Sequence, residues 1–133
     1  MIHKLEIQTH GREEMIDITE SVNEIIRHSP SDSGYVICFV PHTTAGITIN
    51  ENADPDVRTD VLSVLRERFP QSDRYAHREG NSDAHIKASL IGFTVQALFE
   101  DRSIVLGRWQ GIFFCEFDGP RNRQLIVKLV PDA

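Results

Sequence analysis

Three stretches of this 133-residue chain carry polar side chains whose types and spacing suit chemistry better than packing. The most specific is HREGNSDAHIKASLIG, residues 77–92. It puts His77 in a polar loop and His85 on a short helix. Glu79, Asn81 and Asp83 lie between them, and Ser89 follows His85 one turn later on the same face. A loop imidazole and a helix imidazole can converge on one ion. The second stretch, PHTTAGITINENADPDV (41–57), delivers His42 at a strand end. The Thr43 and Thr44 hydroxyls follow, with Asn50 and Glu51 at the end of the next strand. Three imidazoles with an open fourth position can activate a metal-bound water or polarise a substrate oxygen. Without a metal, the same side chains suit acid–base work near neutral pH. Plain hydrogen-bonded structure fits the spacing too, because HREGNSDAH is not a generic zinc signature such as HExxH. Glu79 or Asp83 can be a ligand or the partner that orients one.

The third stretch, LGRWQGIFFCEFDGPRNR (106–123), mixes core with site. Ile112, Phe113, Phe114 and Phe117 are core candidates, and Trp109 is a packing or subunit-contact residue. Gln110, Glu116 and Arg121 are its polar candidates. Glu116, if it faces inward, needs an arginine or a metal-bound histidine as partner. Arg121, with Thr43, Thr44 and backbone amides, can hold a phosphate or carboxylate. Asp54 and Asp56 have a plainer reading as helix cap and first-turn acid. His3, His10 and His28 sit in polar contexts and receive no role.

The elements that must position these groups are legible in outline. Leu5, Ile7 and Thr9 alternate with polar residues, as in a half-buried strand, and Met15 to Ile18 form a second strand. Thr19 is placed to cap a helix with Val22, Ile25 and Ile26 on its apolar face. Tyr35 to Val40 is a nearly continuous apolar strand, expected to be covered on both faces, and Ala45 to Asn50 is another. Asp54-Pro55 starts a helix whose stripe is Val57, Val61, Val64, Leu65 and Phe69, and Pro70 ends it. Residues 71–81 form a long polar loop. Asn81 or Ser82 then caps a short helix that stops at Gly92. Strands follow near 93–99, 103–106, 112–117 and 123–130, with an Asp118-Gly119 turn before the last. The order predicts one α+β domain over residues 1–133, built on an antiparallel sheet.

Composition narrows the function. The net charge is -6 and no Lys/Arg-rich run occurs, which argues against nucleic acid as a main partner. Cys38 and Cys115 sit in apolar runs without CxxC spacing and read as buried free thiols. The first ten residues lack an apolar signal core, and no apolar stretch approaches the roughly 18 residues of a membrane span. The expectation is a cytoplasmic protein with no membrane partner.

Taken together, HTTAGITINENADPDV, HREGNSDAHIKASLIG and LGRWQGIFFCEFDGPRNRQ closely resemble the motifs of the YjbQ family, also called the secondary thiamine-phosphate synthase family. The likeness spans nearly the whole chain. It implies a β-sandwich of seven to eight strands with two to three helices, packed as a homotrimer. It carries the role of metal ligand onto His42, His77 and His85. Matching polar positions are Thr43, Thr44, Asn50, Glu51, Glu79, Asn81, Asp83, Gln110 and Glu116. The expected function is an enzyme with a three-histidine site acting on a small phosphorylated or anionic metabolite. Weak secondary thiamine-phosphate synthase activity is implied beside an unknown main reaction. Glu79, Glu116, Thr43 and Thr44 would take part in catalysis, and Asn50, Glu51, Asn81, Asp83, Ser89, Gln110 and Arg121 would bind substrate. The expected cofactor is a divalent metal. Imidazoles suit zinc or another transition metal, whereas a pyrophosphate substrate calls for magnesium. The reaction is then a metal-assisted transfer or hydrolysis. The alternative is a non-catalytic trimeric module that captures a metal or metabolite.

Overall fold

The period-two patterns of the chain close into two antiparallel sheets. The computed structural model describes residues 2–133, and among them lie eight strands and three helices. In chain order they are β1 (Ile2–Gln8), β2 (Glu14–Asp17), α1 (Thr19–Arg27), β3 (Gly34–Phe39), β4 (Ala45–Glu51), α2 (Pro55–Arg68), α3 (Ser82–Ile91), β5 (Thr94–Glu100), β6 (Ser103–Ile104), β7 (Gln110–Glu116) and β8 (Asn122–Pro131). The larger sheet has the order β1-β8-β3-β5-β6 and the smaller β2-β7-β4.

The inner faces of the sheets form the main core. Leu125, Val127 and Leu129 of β8 and Val36 and Cys38 of β3 pack with Ile47, Ile112 and Phe114 of the smaller sheet, and Val22, Ile25 and Ile26 of α1 join them. The other face of the smaller sheet, with Met15, Phe113, Cys115 and Phe117, packs against α2 and α3 through Leu62, Leu65, Ala84 and Ala88. Both cysteines are buried and free, and burial pushes each thiol up to about 12, which leaves them unreactive.

Helix α3 is fixed closely on β4. The Ile47 N–H donates to Gly92 O at 3.0 Å. A Cβ on Gly46 would stand 2.7 Å from that carbonyl, so only glycine allows the approach. Gly92 itself has φ +98° and stops the helix, as expected from its position. Asp54 caps α2 by accepting from the Asp56 N–H at 2.9 Å.

Three local expectations need correction. β3 is covered on one face only. Tyr35 and Phe39 point outward, 39% and 41% exposed, because no layer among the described residues lies over the outer face of the larger sheet. Thr19 does not cap α1. The Asp17 carboxylate two residues earlier accepts from both the Thr19 N–H and its hydroxyl, and the hydroxyl oxygen accepts from the Ile112 N–H. On α2 the partly buried stripe runs through Val61, Leu62 and Leu65, while Val64 is exposed, because the helix lies on its sheet by one narrow edge. Among the described residues no helix is long and apolar enough to cross a membrane.

Candidate functional site

Helix α3 and the loop before it carry the most concentrated chemistry. The loop returns His77 against the first turn of the helix, where its Nδ1 lies 3.0 Å from the Ser82 hydroxyl. The His77 and His85 rings meet edge to face with centroids 5.3 Å apart. His77 Nε2 stands 3.8 Å from a Glu79 carboxylate oxygen, beyond hydrogen-bond reach. His77 opens on a cleft of about 430 Å³ whose walls include Gln71, Asp73, Arg78 and Gly80. The Ser82 hydroxyl therefore orients one ring nitrogen and leaves the other without a hydrogen-bond partner among the described residues, the arrangement a proton-transfer imidazole requires.

The opposite side of α3 buries charge. Lys87 and Asp83, four residues apart, are both 0% exposed. Lys87 Nζ donates to Asp83 Oδ2 at 2.7 Å and to Glu13 Oε2 at 3.0 Å. Arg12 forks onto Asp83 with two bonds of 3.1 Å, and Arg66 Nε donates to Glu13 Oε1 at 2.8 Å. Burial alone would raise the Asp83 carboxyl. Hydrogen bonds from Arg12 and Lys87, and their charges, outweigh it and hold Asp83 below the usual carboxylate range.

A second buried ion pair closes the core between the sheets. Glu116 of β7 and Arg123 of β8 are 0% and 4% exposed. Glu116 accepts from Arg123 Nε and Nη2, from the Thr9 hydroxyl, and from the Phe117 and Asp118 N–H groups. Arg123 Nη2 also donates to Thr44 Oγ1 at 2.8 Å. Burial would raise Glu116, but the hydrogen bonds from Arg123, Asp118 N–H and Thr9 hold it low. The partner that Glu116 needs is thus Arg123, and the carboxylate has no oxygen to spare for a substrate.

His42 lies at the edge of that cluster and is partly buried. Its Nε2 accepts the Gln124 N–H at 2.9 Å, which leaves the ring proton on Nδ1. Burial, then the Arg123 charge, lowers its pKa, so it is neutral at pH 7.

The remaining candidates are spread over the surface. Thr43 is exposed beside His42, in an apolar cleft with Phe39 and Phe93. Thr44 is buried and occupied by Arg123. Arg121 is held by Asp118, through Oδ2 at 2.9 Å and the carbonyl at 2.8 Å, and so does not join Thr43 and Thr44 as expected. Asn81 donates to the same Asp118 Oδ2 at 2.8 Å, while its buried Oδ1 meets no donor among the described residues. Ser89 returns its hydroxyl to the His85 carbonyl. Asn50 and Glu51 accept from nearby backbone N–H groups, and Gln110 accepts from Gly107 N–H. In the β4–β7 register Glu51 faces Gln110 while Ala45 faces Glu116. At about 3.3 Å per residue these two ends lie roughly 20 Å apart. The sequence-predicted residues therefore form separate groups.

The metal expectation can be tested on the donors. Two imidazoles bound at about 2.0–2.1 Å to one tetrahedral ion have centroids roughly 5 Å apart. The His77/His85 spacing meets that requirement. His42 does not complete the set within one chain, because its Nε2 is taken by Gln124. Among the described residues no three His, Cys, Asp or Glu side chains gather as a metal site.

With this geometry in place, comparison decides the family. The family model described as UPF0047 protein YjbQ-like matches residues 3–132. The chain belongs to the UPF0047, YjbQ-like family. It is 49% identical over 132 residues to the UPF0047 protein MJ1081 of Methanocaldococcus jannaschii, covering 99% of this chain and 96% of that one. Identity to the UPF0047 protein YugU of Bacillus subtilis is 47%, covering 98% and 99%. Among solved structures, a yjbq/upf0047 family protein of Clostridium acetobutylicum superposes with TM-score 0.93 at 49% identity, covering 96% and 99%. A YbjQ-like protein of unknown function from Sulfolobus solfataricus superposes equally well, at 30% identity over 99% and 97%. The family is uncharacterised in function, and its two-sheet α+β fold is the fold found here.

Sequence reasoning passed over Arg12, Glu13, Arg66, Lys87 and Arg123. One signal was available. Asp83 and Lys87 are four apart and flanked by Ala84 and Ala88, a small-residue face that packs closely enough to bury its neighbours. Glu13 lies 74 residues from Lys87 and Arg12 lies 71 from Asp83, and no local pattern announces them.

Proposed function

We propose that this protein is an enzyme acting on a small phosphorylated or otherwise anionic metabolite, with His77 as its proton-transfer residue beside His85. The supporting observation is the imidazole pair itself. One ring is oriented by Ser82 and opens on a cleft of metabolite size, with a Glu79 carboxylate oxygen 3.8 Å from its Nε2. Alternatively, in place of proton transfer, the two imidazoles hold a divalent cation, zinc or another transition metal, and a further donor would come from a second copy in the homotrimer. It would polarise a substrate oxygen or offset the charge of a leaving group. The reaction class is transfer of the thiamine-phosphate synthase kind, or hydrolysis. The surface for trimer assembly in this reading is the uncovered face of the larger sheet, where Leu98, Tyr35 and Val130 lie opposite one another across three strands.

Untagged wild type, His77→Ala and His85→Ala are to be compared for metal content by mass spectrometry and for turnover of a panel of phosphate esters. Loss of both in the variants, with unfolding unchanged, is expected. Full activity in both variants would remove the histidines from the site.

One observation favours the non-catalytic alternative. Glu116 and Thr44, two of the groups expected to assist catalysis, are sealed in the core with their hydrogen-bonding capacity used. In that reading a trimeric module holds a metal or metabolite, and tight binding without turnover separates it from the enzyme.

A further inference from the structure

We infer that the cleft on the other side of α3 is a binding site for the phosphate group of a small molecule, anchored by Arg12, Arg66 and Lys87. These residues line an opening of about 440 Å³ with Glu13, Pro70 and Gln71. The cluster holds three cations against two carboxylates, Glu13 and Asp83, in a chain whose net charge is -6. The other nearby acid, Asp118, is neutralised by Arg121. A positive excess is therefore built at one place in an acidic protein.

The two carboxylates are consumed by holding the cations in position. Glu13 accepts from Lys87 and Arg66, and Asp83 from Lys87 and both amino groups of the Arg12 fork. The cations are not consumed. Among the described residues, two of the three Lys87 ammonium hydrogens are used, two of the five Arg12 donors, and one of the five on Arg66. Guanidinium forks beside a fixed ammonium match the oxygens of a phosphate.

The position links this cleft to the reading above, on which its biological use rests. Gln71 walls both this cleft and the His77 cleft, and its Nε2 donates to Gly80 O at 3.2 Å. A molecule held here by its phosphate extends past Gln71 toward His77. This assigns the anion subsite to Arg12, Arg66 and Lys87, in place of Arg121, Thr43 and Thr44.

The test is titration of wild type, Arg66→Gln, Lys87→Met and His77→Ala with inorganic phosphate at constant ionic strength, followed by calorimetry and ³¹P line broadening. Arg66 is half-exposed, so its variant keeps the fold even where Lys87→Met does not. Arg66→Gln is expected to weaken phosphate binding at least about tenfold, the loss of one charge-assisted contact. His77→Ala should bind as wild type, and this pattern supports the cleft even if the imidazoles prove inactive. Binding lost in His77→Ala but kept in Arg66→Gln would move the anion to the imidazoles and overturn the inference while leaving the histidine reading intact. Wild type that prefers phosphate no more than chloride overturns it as well.

Discussion

Two clusters in this molecule bury ion pairs, and they differ in what they leave over. The Glu116–Arg123 cluster lies between the sheets, and its carboxylate accepts five hydrogen bonds. The Lys87 cluster lies between α3 and the β1–β2 turn, its carboxylates Asp83 and Glu13 accept three and two hydrogen bonds, and its cations line an open cleft. Buried charge alone thus says little about function. Unspent donors beside a space the size of a metabolite say much more. The first cluster works as a clamp: Glu116 is on one sheet and Arg123 on the other, so their pairing sets how the two layers meet.

The comparison can be broken most forcefully at the clamp. Arg123→Met leaves Glu116 charged and unpaired in the core, and a loss of about 3–5 kcal/mol in urea unfolding is expected. The Glu116→Met/Arg123→Met pair should regain most of that loss. If the single variant unfolds within about 1 kcal/mol of wild type, the clamp is not what joins the sheets. Lys87→Met should cost less, about 2 kcal/mol, because Asp83 keeps Arg12 and Glu13 keeps Arg66. An equal loss at both sites would erase the distinction between closed and open clusters.

Acid separates the clusters from the histidine beside them. Glu116 and Asp83 have folded pKa values below their unfolded ones, so each contributes stability that is present above the usual carboxylate range and lost as pH falls through the folded value. His42 is also lowered, for the opposite chemical reason. Its neutral form is favoured in the fold, so the unfolded chain takes up a proton first as pH falls below about 6.5. Stability should therefore begin to decline below that pH, ahead of the carboxylate loss. His42→Gln should flatten this earlier limb and leave the later one unchanged, as read from unfolding midpoints between pH 7 and 3. The smallest effect on stability belongs to His77→Ala, expected within about 0.5 kcal/mol of wild type because the ring is half-exposed. A larger loss would make His77 a structural residue like His42.

What was legible along the chain was local. Asp54-Pro55 starts α2 and Gly92 stops α3 because cap chemistry and backbone freedom act over one turn. The alternation of Leu5 with Glu6 and the apolar run of Phe113 to Phe117 were enough to name strands. The uncovered face of β3 was not legible, since a run such as YVICF looks the same whether its second face meets a layer or water. The polar residues show the same division. The His77–Ser82–His85 group lies within nine residues and its closeness follows from one loop and one helix. The Arg12–Asp83, Glu13–Lys87 and His42–Gln124 contacts span 71, 74 and 82 residues.

The sequence by itself determined the elements, the Asp54 cap of α2, the Gly92 stop of α3, the α+β class and the neighbouring histidines of the loop and α3, because these depend on forces acting within a few residues. Only the tertiary structure decided which charges are sealed and which remain open. It sealed Glu116 with Arg123, turned His42 to a backbone N–H, and brought Arg12 and Glu13 to Lys87. The physical reason is that a buried charge is stable only beside its partner, and the partner is chosen by how sheets and helices pack rather than by position along the chain.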